Sequence, residues 1–586
     1  MEAIVNKDRP RLAAAALGKI PCDLTIENAR VVNVITGEII PGSVDVLDGV
    51  IVRVRDTGER PQKPAGEIID ACGHYVVPGL IDTHVHIEST MLTPQNFGRA
   101  VCACGTTCAF TDPHEIANVM GVKGVLWMLR SAKKSPARIY TLAPSCVPAA
   151  PGLESSGAQF GSAEIDALLG EDTVVGIAEL MDVLGVVHGG GRMSSITGLG
   201  LSRGVFLQGH APGLHGGELD AYRLMGPGSD HESGSAREIR ERLRAGMRID
   251  LRFVVPDAVR RLTEGFAGMR YLDNVSLCTD DVYADDLLRD GHVNRVVRQV
   301  IGSGIDPVQA YRMAAYQAAA EYGFSDLGAV APGFAADLQI LRELDGRLPE
   351  AVYIGGKPAA KNGECIVPGG GGDTLPENTV RIPQITSPGD LLLRAPEGAG
   401  CSVKTAVLTT RRFEEDNITY EELPVTDGCV DISRDPGLCW VAVINRYGAG
   451  GTVIVPYRGY PLQRGAVAST ISHDSHNMTV IFRDTRDAYL AARELLRVSG
   501  GITAVCGGEV LRTLPLPCAG LMSPLGAQDL APIIEGTKRA IGELCPGEPH
   551  ALLRLTLMSL PCDPCFVVTD LGIVDGKAGR FVPQFI

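Results

Sequence analysis

Between residues 76 and 325, β-rich runs alternate with helical stretches, and few folds accommodate such a pattern over about 250 residues. The helical stretch 235–246, SAREIRERLRAG, is representative. The alternation suggests a (β/α)8 barrel, although periodicity alone does not exclude a doubly wound open sheet. The β-rich runs are 107–112, 137–144, 173–180, 204–210, 247–254 and 274–280.

The chain has 586 residues, which exceeds what one hydrophobic core holds, so two or three domains are expected. Segments 1–75 and 326–388 carry short β runs punctuated by Gly and Pro, and we assign both to one β-rich domain. This domain flanks the barrel of residues 76–325. After a Gly- and Pro-rich linker, residues 389–586 mix strands with a helix at 487–500, which predicts a C-terminal α/β or α+β domain.

Charge and hydropathy restrict the class of protein. The net charge is −15 and no run of Lys and Arg occurs, which argues against a nucleic-acid partner. No stretch approaches the roughly 20 apolar residues of a membrane span, and the apolar run 12–17 is too short for a secretory signal. The 16 cysteines are interpreted as reduced thiols. We therefore expect a cytoplasmic enzyme that acts on a small neutral or cationic molecule.

A pair of histidines follows the first β run of the predicted barrel. His84 and His86 are two positions apart on a strand, so both imidazoles face the same side. Barrel enzymes hold their active sites at this carboxyl end of the strands. A lone pair of this kind is weak evidence, and two histidines with ordinary hydrogen-bond partners are the alternative.

Four further residues occur where later β runs give way to loops: Glu179, His210, His231 and Asp280. Each has a simpler interpretation taken singly, as a helix N-cap or a surface histidine. With His84 and His86 they make four imidazoles and two carboxylates, a ligand set suited to Zn²⁺, Fe²⁺ or Mn²⁺. The sequence therefore predicts a metal site at the barrel mouth.

Longer motifs give the chain a family resemblance. The order of these ligands, together with the APGxxADL motif of residues 331–338, resembles the amidohydrolase superfamily. More narrowly, the chain resembles the adenine deaminases over nearly its whole length. The motifs that carry this resemblance are HVHIEST (84–90), TDPHEIANVMG (111–121), GHAPGLHGGELDAY (209–222), SDHE (229–232), CTDD (278–281) and ISHDSHN (471–477).

The resemblance implies two divalent metal ions, most often Mn²⁺ or Fe²⁺, with Zn²⁺ also suited to the ligands. One ion would be held by His84, His86 and Asp280, the other by His210 and His231, with Glu179 bridging them. Water activated by the metals would attack adenine, with Asp280 carrying the proton to the departing ammonia. A homo-oligomer, specifically a dimer, is also expected.

Other polar residues near these motifs have two open interpretations. Glu88 is a second proton carrier or substrate contact, or else a loop carboxylate that accepts backbone hydrogen bonds. His114 contacts substrate, orients a ligand or binds an extra metal, and Asp281 is a candidate substrate contact. The remaining neighbours, Asp112, Glu115 and Glu232, are ambiguous in the same way, and His215 is expected to be solvated. Two departures from the family pattern, Ala211 and Tyr283, bear on substrate specificity rather than on the metal ligands.

The C-terminal domain carries its own polar cluster at 472–477, SHDSHN. One interpretation is a solvated turn in which Asp474 and Asn477 bond the local backbone. The other is a loop that closes over the barrel mouth, with His473 facing the substrate and Asp474 fixing its tautomer.

Three other functions compete with adenine deamination. His86-Ile87-Glu88 and Pro561-Cys562-Asp563-Pro564-Cys565 match the H-x-E and P-C-x-x-C strings of zinc nucleobase deaminases, but nearly the whole chain separates them. A different amidohydrolase, acting on another aminopurine or a cyclic amide, is the main alternative. A protein without catalytic function would require an incomplete ligand set.

Overall fold

The computed structural model describes residues 7–59, 63–252, 256–369, 371–410, 416–562 and 564–586. The described part begins with one helix and five strands of the flanking domain. These are α1 (Arg9–Ala16), β1 (Leu24–Asn33), β2 (Glu38–Leu47), β3 (Val50–Asp56), β4 (Glu67–Asp70) and β5 (Tyr75–Pro78).

The barrel follows directly after β5. Its strands are β6 (Leu80–Val85), β7 (Thr106–Thr111), β8 (Arg138–Ala143), β9 (Val174–Leu180), β10 (Phe206–Gly209), β11 (Ser229–Asp230), β12 (Arg248–Arg252) and β13 (Val275–Cys278). Its helices are α2 (Pro94–Ala103), α3 (His114–Met120), α4 (Val122–Ala132), α5 (Ser162–Leu168), α6 (Val183–Val187), α7 (Gly191–Arg203), α8 (Gly216–Leu224), α9 (Ala236–Arg244), α10 (Pro256–Thr263), α11 (Ala284–Asp290), α12 (Val293–Gly302), α13 (Pro307–Arg312) and α14 (Ala318–Glu321). A 3-10 turn, Ile87–Thr90, precedes α2, and a π-helical segment, Met313–Gln317, joins α13 to α14.

The strands close into a ring. β6 to β10 form one parallel group and β11 to β13 another. The Gly228 N–H donates to the Leu207 carbonyl at 2.8 Å and joins the two groups beside β10. The Asp280 N–H donates to the His84 carbonyl at 2.9 Å and joins β13 back to β6. The predicted (β/α)8 barrel is therefore confirmed.

Each of the six predicted β runs of the barrel contains a strand, from β7 in 107–112 to β13 in 274–280. The run 247–254 contains β12, which ends at Arg252, and residues 253 and 254 of that run lie outside the described residues. The sequence did not predict β11, because two residues are too few to show any periodicity.

Four strands after the barrel complete the flanking sheet: β14 (Leu338–Leu341), β15 (Ala351–Ile354), β16 (Lys357–Lys361) and β17 (Glu364–Cys365). The order is β17-β16-β15-β14-β5-β1-β2-β3, with β4 also pairing with β1. The two ends of the barrel therefore enter one sheet through the antiparallel pair β14 and β5. Arg138 of β8 ties the barrel to this sheet, because its guanidinium donates to Asp337 at 2.8 Å.

The strands of the C-terminal domain are β18 (Ser402–Thr409), β19 (Ile418–Thr426), β20 (Cys429–Val430), β21 (Leu438–Ile444), β22 (Thr452–Arg458), β23 (Ala466–Ser469), β24 (Met478–Phe482), β25 (Gly501–Cys506), β26 (Glu509–Pro515), β27 (Phe566–Val568), β28 (Ile573–Asp575) and β29 (Arg580–Val582). The first nine form one sheet of order β20-β19-β18-β22-β21-β24-β23-β25-β26. Its pairs are antiparallel except for β18 with β22, which makes the domain α+β rather than α/β. The helices are α15 (Thr485–Arg497), α16 (Ala527–Leu544) and α17 (Ala551–Thr556). Within the described ranges, no helix combines the length and apolar character needed to cross a membrane.

The barrel and the C-terminal domain share one hydrophobic core. Side chains of the barrel, such as Phe97 and Leu287, belong to the same buried cluster as Ile471 and Leu530 of the C-terminal domain. Backbone contacts follow the same interface, where the Ser523 N–H donates to the Met91 carbonyl at 2.8 Å. The C-terminal domain therefore covers the barrel wall that carries the 3-10 turn, α2 and α11.

Polar contacts join the loop after β8 to the C-terminal domain. The Ser155 carbonyl accepts from Asn477 Nδ2 at 2.8 Å, and the Ser155 N–H donates to Asp570 at 2.9 Å. The Leu153 carbonyl accepts from the Thr569 hydroxyl at 2.6 Å. Segments more than 300 residues apart in the chain are thus fixed against one another.

The neighbours Leu287 and Leu288 of α11 test the shared core. Leu287 is fully buried beneath α16, whereas Leu288 is 39% exposed. Leu287→Ala should lower the free energy of unfolding by about 2–5 kcal/mol because it leaves a cavity in the interface. Leu288→Ala should change it by only about 0.5 kcal/mol. Urea unfolding followed by circular dichroism compares the variants, and equal midpoints would contradict a shared core.

Candidate metal centre

The carboxyl end of β6 places two imidazoles side by side. His84 lies in β6 and His86 directly follows it, and their ring centroids are 4.6 Å apart. The Nδ1 atom of His84 is hydrogen-bonded to Gln208 Oε1 at 2.9 Å, and that of His86 to the Asp112 carbonyl at 3.1 Å. These bonds fix both rings so that each Nε2 is directed at the carboxylate of Asp280.

The carboxylate of Glu179 lies at the centre of the predicted ligands. Its Oε1 is 3.4 Å from His86 Nε2. Its Oε2 is 2.8 Å from His210 Nδ1 and 3.2 Å from His231 Nε2. Asp280 Oδ1 lies on the other side of His86, 3.2 Å from the same Nε2. Together with His84, all six predicted ligands are therefore brought to one place.

The donor set suits divalent metal ions. His84 Nε2 and His231 Nδ1 are buried and have no hydrogen-bond partner among the described residues, which is costly for a polar atom. His84, His231 and Asp280 offer donor atoms within 4.8 Å of one another, and so do Glu179, His210 and His231. Imidazole nitrogen with carboxylate oxygen is a common donor set for Zn²⁺, Fe²⁺ and Mn²⁺.

Burial and mutual charge set the protonation of these groups. Burial, reinforced by His231 and His86, lowers the pKa of His84 well below its ordinary value, so His84 stays neutral as a metal ligand must. Burial would raise the pKa of Glu179, yet His210 and the other imidazoles around it hold that pKa well below the ordinary value. The central carboxylate is therefore ionised.

A buried arginine joins the two loops that carry His210 and His231. Arg242 of α9 is fully buried and donates from Nε to Asp230 Oδ2 at 2.9 Å. Its Nη2 also donates to the Ala211 carbonyl, and the Ala211 N–H donates to Asp230 Oδ1 at 2.9 Å. Ala211 follows His210 and Asp230 precedes His231, so Arg242 fixes both ligands through their neighbours.

A second polar network supports the other side of the centre. Asp82, two residues before His84 on β6, accepts from the Thr279 hydroxyl at 2.5 Å and from the His84 N–H at 3.2 Å. His292 Nε2 is 3.2 Å from the same hydroxyl, and burial lowers its pKa to about 3. A neutral His292 therefore helps to hold Thr279, the residue before Asp280.

Arg252, at the end of β12, is a site residue that the sequence did not reveal. Its Nη1 contacts Asp280 Oδ2, and its Nη2 donates to Glu232 Oε2 at 2.9 Å. Glu232 Oε1 in turn is 3.5 Å from His231 Nε2. Arg252 therefore holds one oxygen of Asp280 while the other faces the imidazoles. No motif marked Arg252, because a single basic residue in a strand is unremarkable.

The polar loop of the C-terminal domain reaches this centre and is not a solvated turn. All residues of 471–477 are buried. His114 Nδ1 is 3.0 Å from Asp112 Oδ2 and 3.5 Å from Glu179 Oε1, while its Nε2 is 3.6 Å from Asp474 Oδ1. A continuous set of contacts thus leads from the central carboxylate to the C-terminal domain.

His473 lies in the same cluster. Its Nδ1 is 3.4 Å from Glu115 Oε1 and 3.7 Å from Asp474 Oδ1. Asp474 Oδ1 is also 3.6 Å from His114 Nε2, so this carboxylate lies between the two imidazoles, and its effect on the His473 tautomer stays a prediction. Ser89 Oγ is 2.9 Å from Glu115 Oε1 and 2.5 Å from Asp281 Oδ1, and its one proton can be donated to only one of them at a time.

Glu88 accepts a backbone hydrogen bond, as one of its two interpretations predicts. Its Oε1 accepts from the Ile116 N–H at 3.2 Å, while its buried Oε2 has no partner among the described residues. Burial and the charge of Glu115 raise the pKa of Glu88 to about 8, so its carboxyl is protonated at neutral pH.

Four remaining residues lie elsewhere. His215 is partly exposed, as expected, and pairs with Glu241 at 2.5 Å. Tyr283 packs beneath the ammonium of Lys538, which is 4.6 Å from its ring centroid. Cys562 and Cys565 lie in two separate apolar clusters.

Comparisons with known proteins show what the chain is similar to. The amidohydrolase family profile matches residues 75–359, and the adenine deaminase C-terminal domain matches residues 416–580. Adenine deaminase of Klebsiella pneumoniae is 36% identical over 99% of this chain and 96% of its own. Adenine deaminase 2 of Carboxydothermus hydrogenoformans is 37% identical over 98% of each chain. A crystal structure of enamidase, 19% identical, covers 59% of this chain and 97% of its own with a TM-score of 0.44.

His231 and His215 form a matched pair for testing metal binding. His231→Ala removes a ligand that belongs to both sets of donor atoms, so the purified variant should retain less than half of the wild-type metal. His215→Ala removes a surface imidazole of the same barrel and should leave the metal content unchanged. Elemental analysis after loading with Mn²⁺ measures both, and equal contents would exclude His231 as a ligand.

Proposed function

The chain belongs to the adenine deaminase family of the amidohydrolase superfamily, and we propose that it hydrolyses adenine to hypoxanthine and ammonia. The observation that carries this proposal is the grouping of six candidate metal ligands around the carboxylate of one of them, Glu179, with a loop of the C-terminal domain against the same cluster. No feature of the described residues favours a cyclic amide or another aminopurine as substrate.

Two divalent ions would be held by His84, His86, Glu179, His210, His231 and Asp280. When bound, they supply Lewis acidity that brings the pKa of water towards neutrality. We favour Mn²⁺ or Fe²⁺ on the family resemblance, and Zn²⁺ suits the same donors. How the six ligands divide between two ions is part of the proposal, since His231 lies close to both sets of donors.

Asp280 is the residue that moves the proton. Its Oδ2 is held by Arg252 and its Oδ1 faces His84 and His86. In that position Oδ1 accepts a proton as the oxygen of water bonds to C6 of the purine. It then returns the proton to the amino nitrogen, so that the C6–N bond breaks and ammonia leaves. The second carboxylate of the centre, Glu179, keeps the imidazoles in place throughout.

The polar edge of the purine needs hydrogen-bond donors and acceptors. Side chains between the metal centre and the C-terminal domain can supply them. Glu88, with a protonated carboxyl and a free Oε2, can donate to a ring nitrogen and can act as a second proton carrier. His114, Asp281 and His473 belong to the same polar cluster and supply further hydrogen bonds. Binding here would place the substrate between the barrel and the loop 471–477, excluding water.

The state of the cysteines supports a cytoplasmic location. None of the 16 cysteines, all of which lie in the described ranges, forms a disulfide, which suits the reducing cytoplasm. Adenine deamination there would belong to purine salvage. A homodimer is proposed on the family resemblance. Gel filtration with light scattering tests that state directly.

Ammonia release from a panel of substrates tests the reaction. Metal-loaded protein incubated with adenine should release ammonia and form hypoxanthine, while cyclic amides should release none. Turnover of a cyclic amide without turnover of adenine would contradict the proposal.

Asp280→Asn tests the proton carrier. The amide cannot take up the proton, so kcat should fall by about 10²–10⁴-fold. Metal content is measured on the same sample, because Asp280 is also a proposed ligand. Near-normal kcat at full metal content would remove Asp280 from the mechanism.

His473→Ala tests the loop of the C-terminal domain. Loss of one hydrogen bond to the purine should lower kcat/KM by about tenfold, with unchanged metal content. His550→Ala, which removes an exposed imidazole of the same domain, is the control and should behave as wild type. Unchanged kcat/KM in His473→Ala would show that the loop makes no productive contact with substrate.

A further inference from the structure

Two thiols meet where the barrel packs against the flanking sheet. Cys102 lies in α2 and is fully buried, while Cys365 ends β17 and is partly exposed. Cys365 pairs with Ala360 across β17 and β16, and Ala360 belongs to the same buried cluster as Cys102, which brings the two thiols together. Apolar side chains of the sheet, including Val352 and Ala360, surround Cys102. The pair therefore lies where the barrel and the flanking sheet are in contact, apart from the proposed metal ligands.

The surroundings of Cys365 favour its thiolate. The hydrogen bond from Cys102 lowers its pKa most, and the Val367 N–H and the Arg99 guanidinium lower it further, to about 6 against the effect of partial burial. Arg99 lies one turn before Cys102 on α2 and also donates to the Val367 carbonyl. By contrast, burial raises the pKa of Cys104 to about 12. A thiolate with a second thiol beside it is the arrangement of reactive cysteine pairs.

We propose that Cys102 and Cys365 form a thiol–disulfide exchange site, which low-molecular-weight disulfides convert into an intramolecular disulfide. The Cys365 thiolate attacks one sulfur of the small disulfide, whose S–S bond breaks and releases one thiolate, which takes a proton from solvent. Cys102 then gives its proton to solvent and attacks the Cys365 sulfur, releasing the second small thiol. Two protein thiols are oxidised, and one small disulfide is reduced to two thiols.

The bond would tie the barrel to the flanking sheet at a definite place. α2 follows directly after the 3-10 turn that carries Glu88 and Ser89, and β17 is where the chain leaves the sheet for the linker. Oxidation would therefore fix the position of α2 relative to β17. The proposal stands independently of the substrate of the metal centre, because it concerns neither a proposed ligand nor a proposed substrate contact.

Glutathione redox buffers at pH 7 test the exchange in the full-length, metal-loaded protein. After acid quenching and alkylation, peptide mapping should show a Cys102–Cys365 linked peptide that increases with the oxidised fraction of glutathione. Cys365→Ser should abolish the linked peptide, and Cys102→Ser should leave Cys365 as a stable mixed disulfide with glutathione. Cys72→Ser, which removes an exposed thiol of the flanking domain, should change nothing.

The pH dependence of alkylation provides a second measurement. The rate at which iodoacetamide modifies Cys365 should be half-maximal near pH 6, because the thiolate forms above the lowered pKa. Cys102→Ala removes the hydrogen-bond donor and should shift this midpoint upwards by at least about one pH unit. An unshifted midpoint, or a wild-type pair that stays reduced in fully oxidised glutathione, would overturn the proposal.

Discussion

A negative charge buried at the centre of the barrel determines how the surrounding residues are arranged. The Glu179 carboxylate is only 3% exposed, and an ion removed from water needs partners on every side. Imidazoles supply them: His86, His114, His210 and His231 lie within 3.5 Å of its oxygens, and each follows a different strand. The strands must therefore lie close enough to bring the imidazoles within hydrogen-bond distance of the Glu179 carboxylate. Each imidazole must also be fixed by a partner of its own. Gln208, Arg242 and the network of Asp82 and His292 provide such support.

The sequence predicted the barrel and its ligands because both leave local traces. Alternating strands and helices are visible in hydrophobic periodicity, and the ligands end β runs in a recognisable order. Asp82 could have been found by the same logic, since it lies two positions before His84 on one face of β6. β11 could not, because its two residues show no period.

Other parts of the site depend on contacts between distant segments and leave no local trace. Arg242 is one of several arginines on an amphipathic helix, and only the folded chain shows that it is buried against Asp230. Arg252 is similar, since its partners Glu232 and Asp280 are 20 and 28 residues away along the chain. The density of polar residues at 472–477 did predict that this segment contacts the barrel mouth. It gave no indication that His473 would lie nearer to Glu115 than to Asp474.

The contacts of Ser155 and Leu153 with Asn477, Asp570 and Thr569 limit how modular this protein can be. The C-terminal domain has its own sheet and could look like a unit that recombination moves between relatives. Its inner surface, however, is complementary to loops encoded more than 300 residues earlier. A functional chimera would have to exchange the loop after β8 together with the C-terminal domain. Insertions and deletions in the loop after β8 should accordingly be correlated, among members of the family, with changes in the C-terminal segments that contact it.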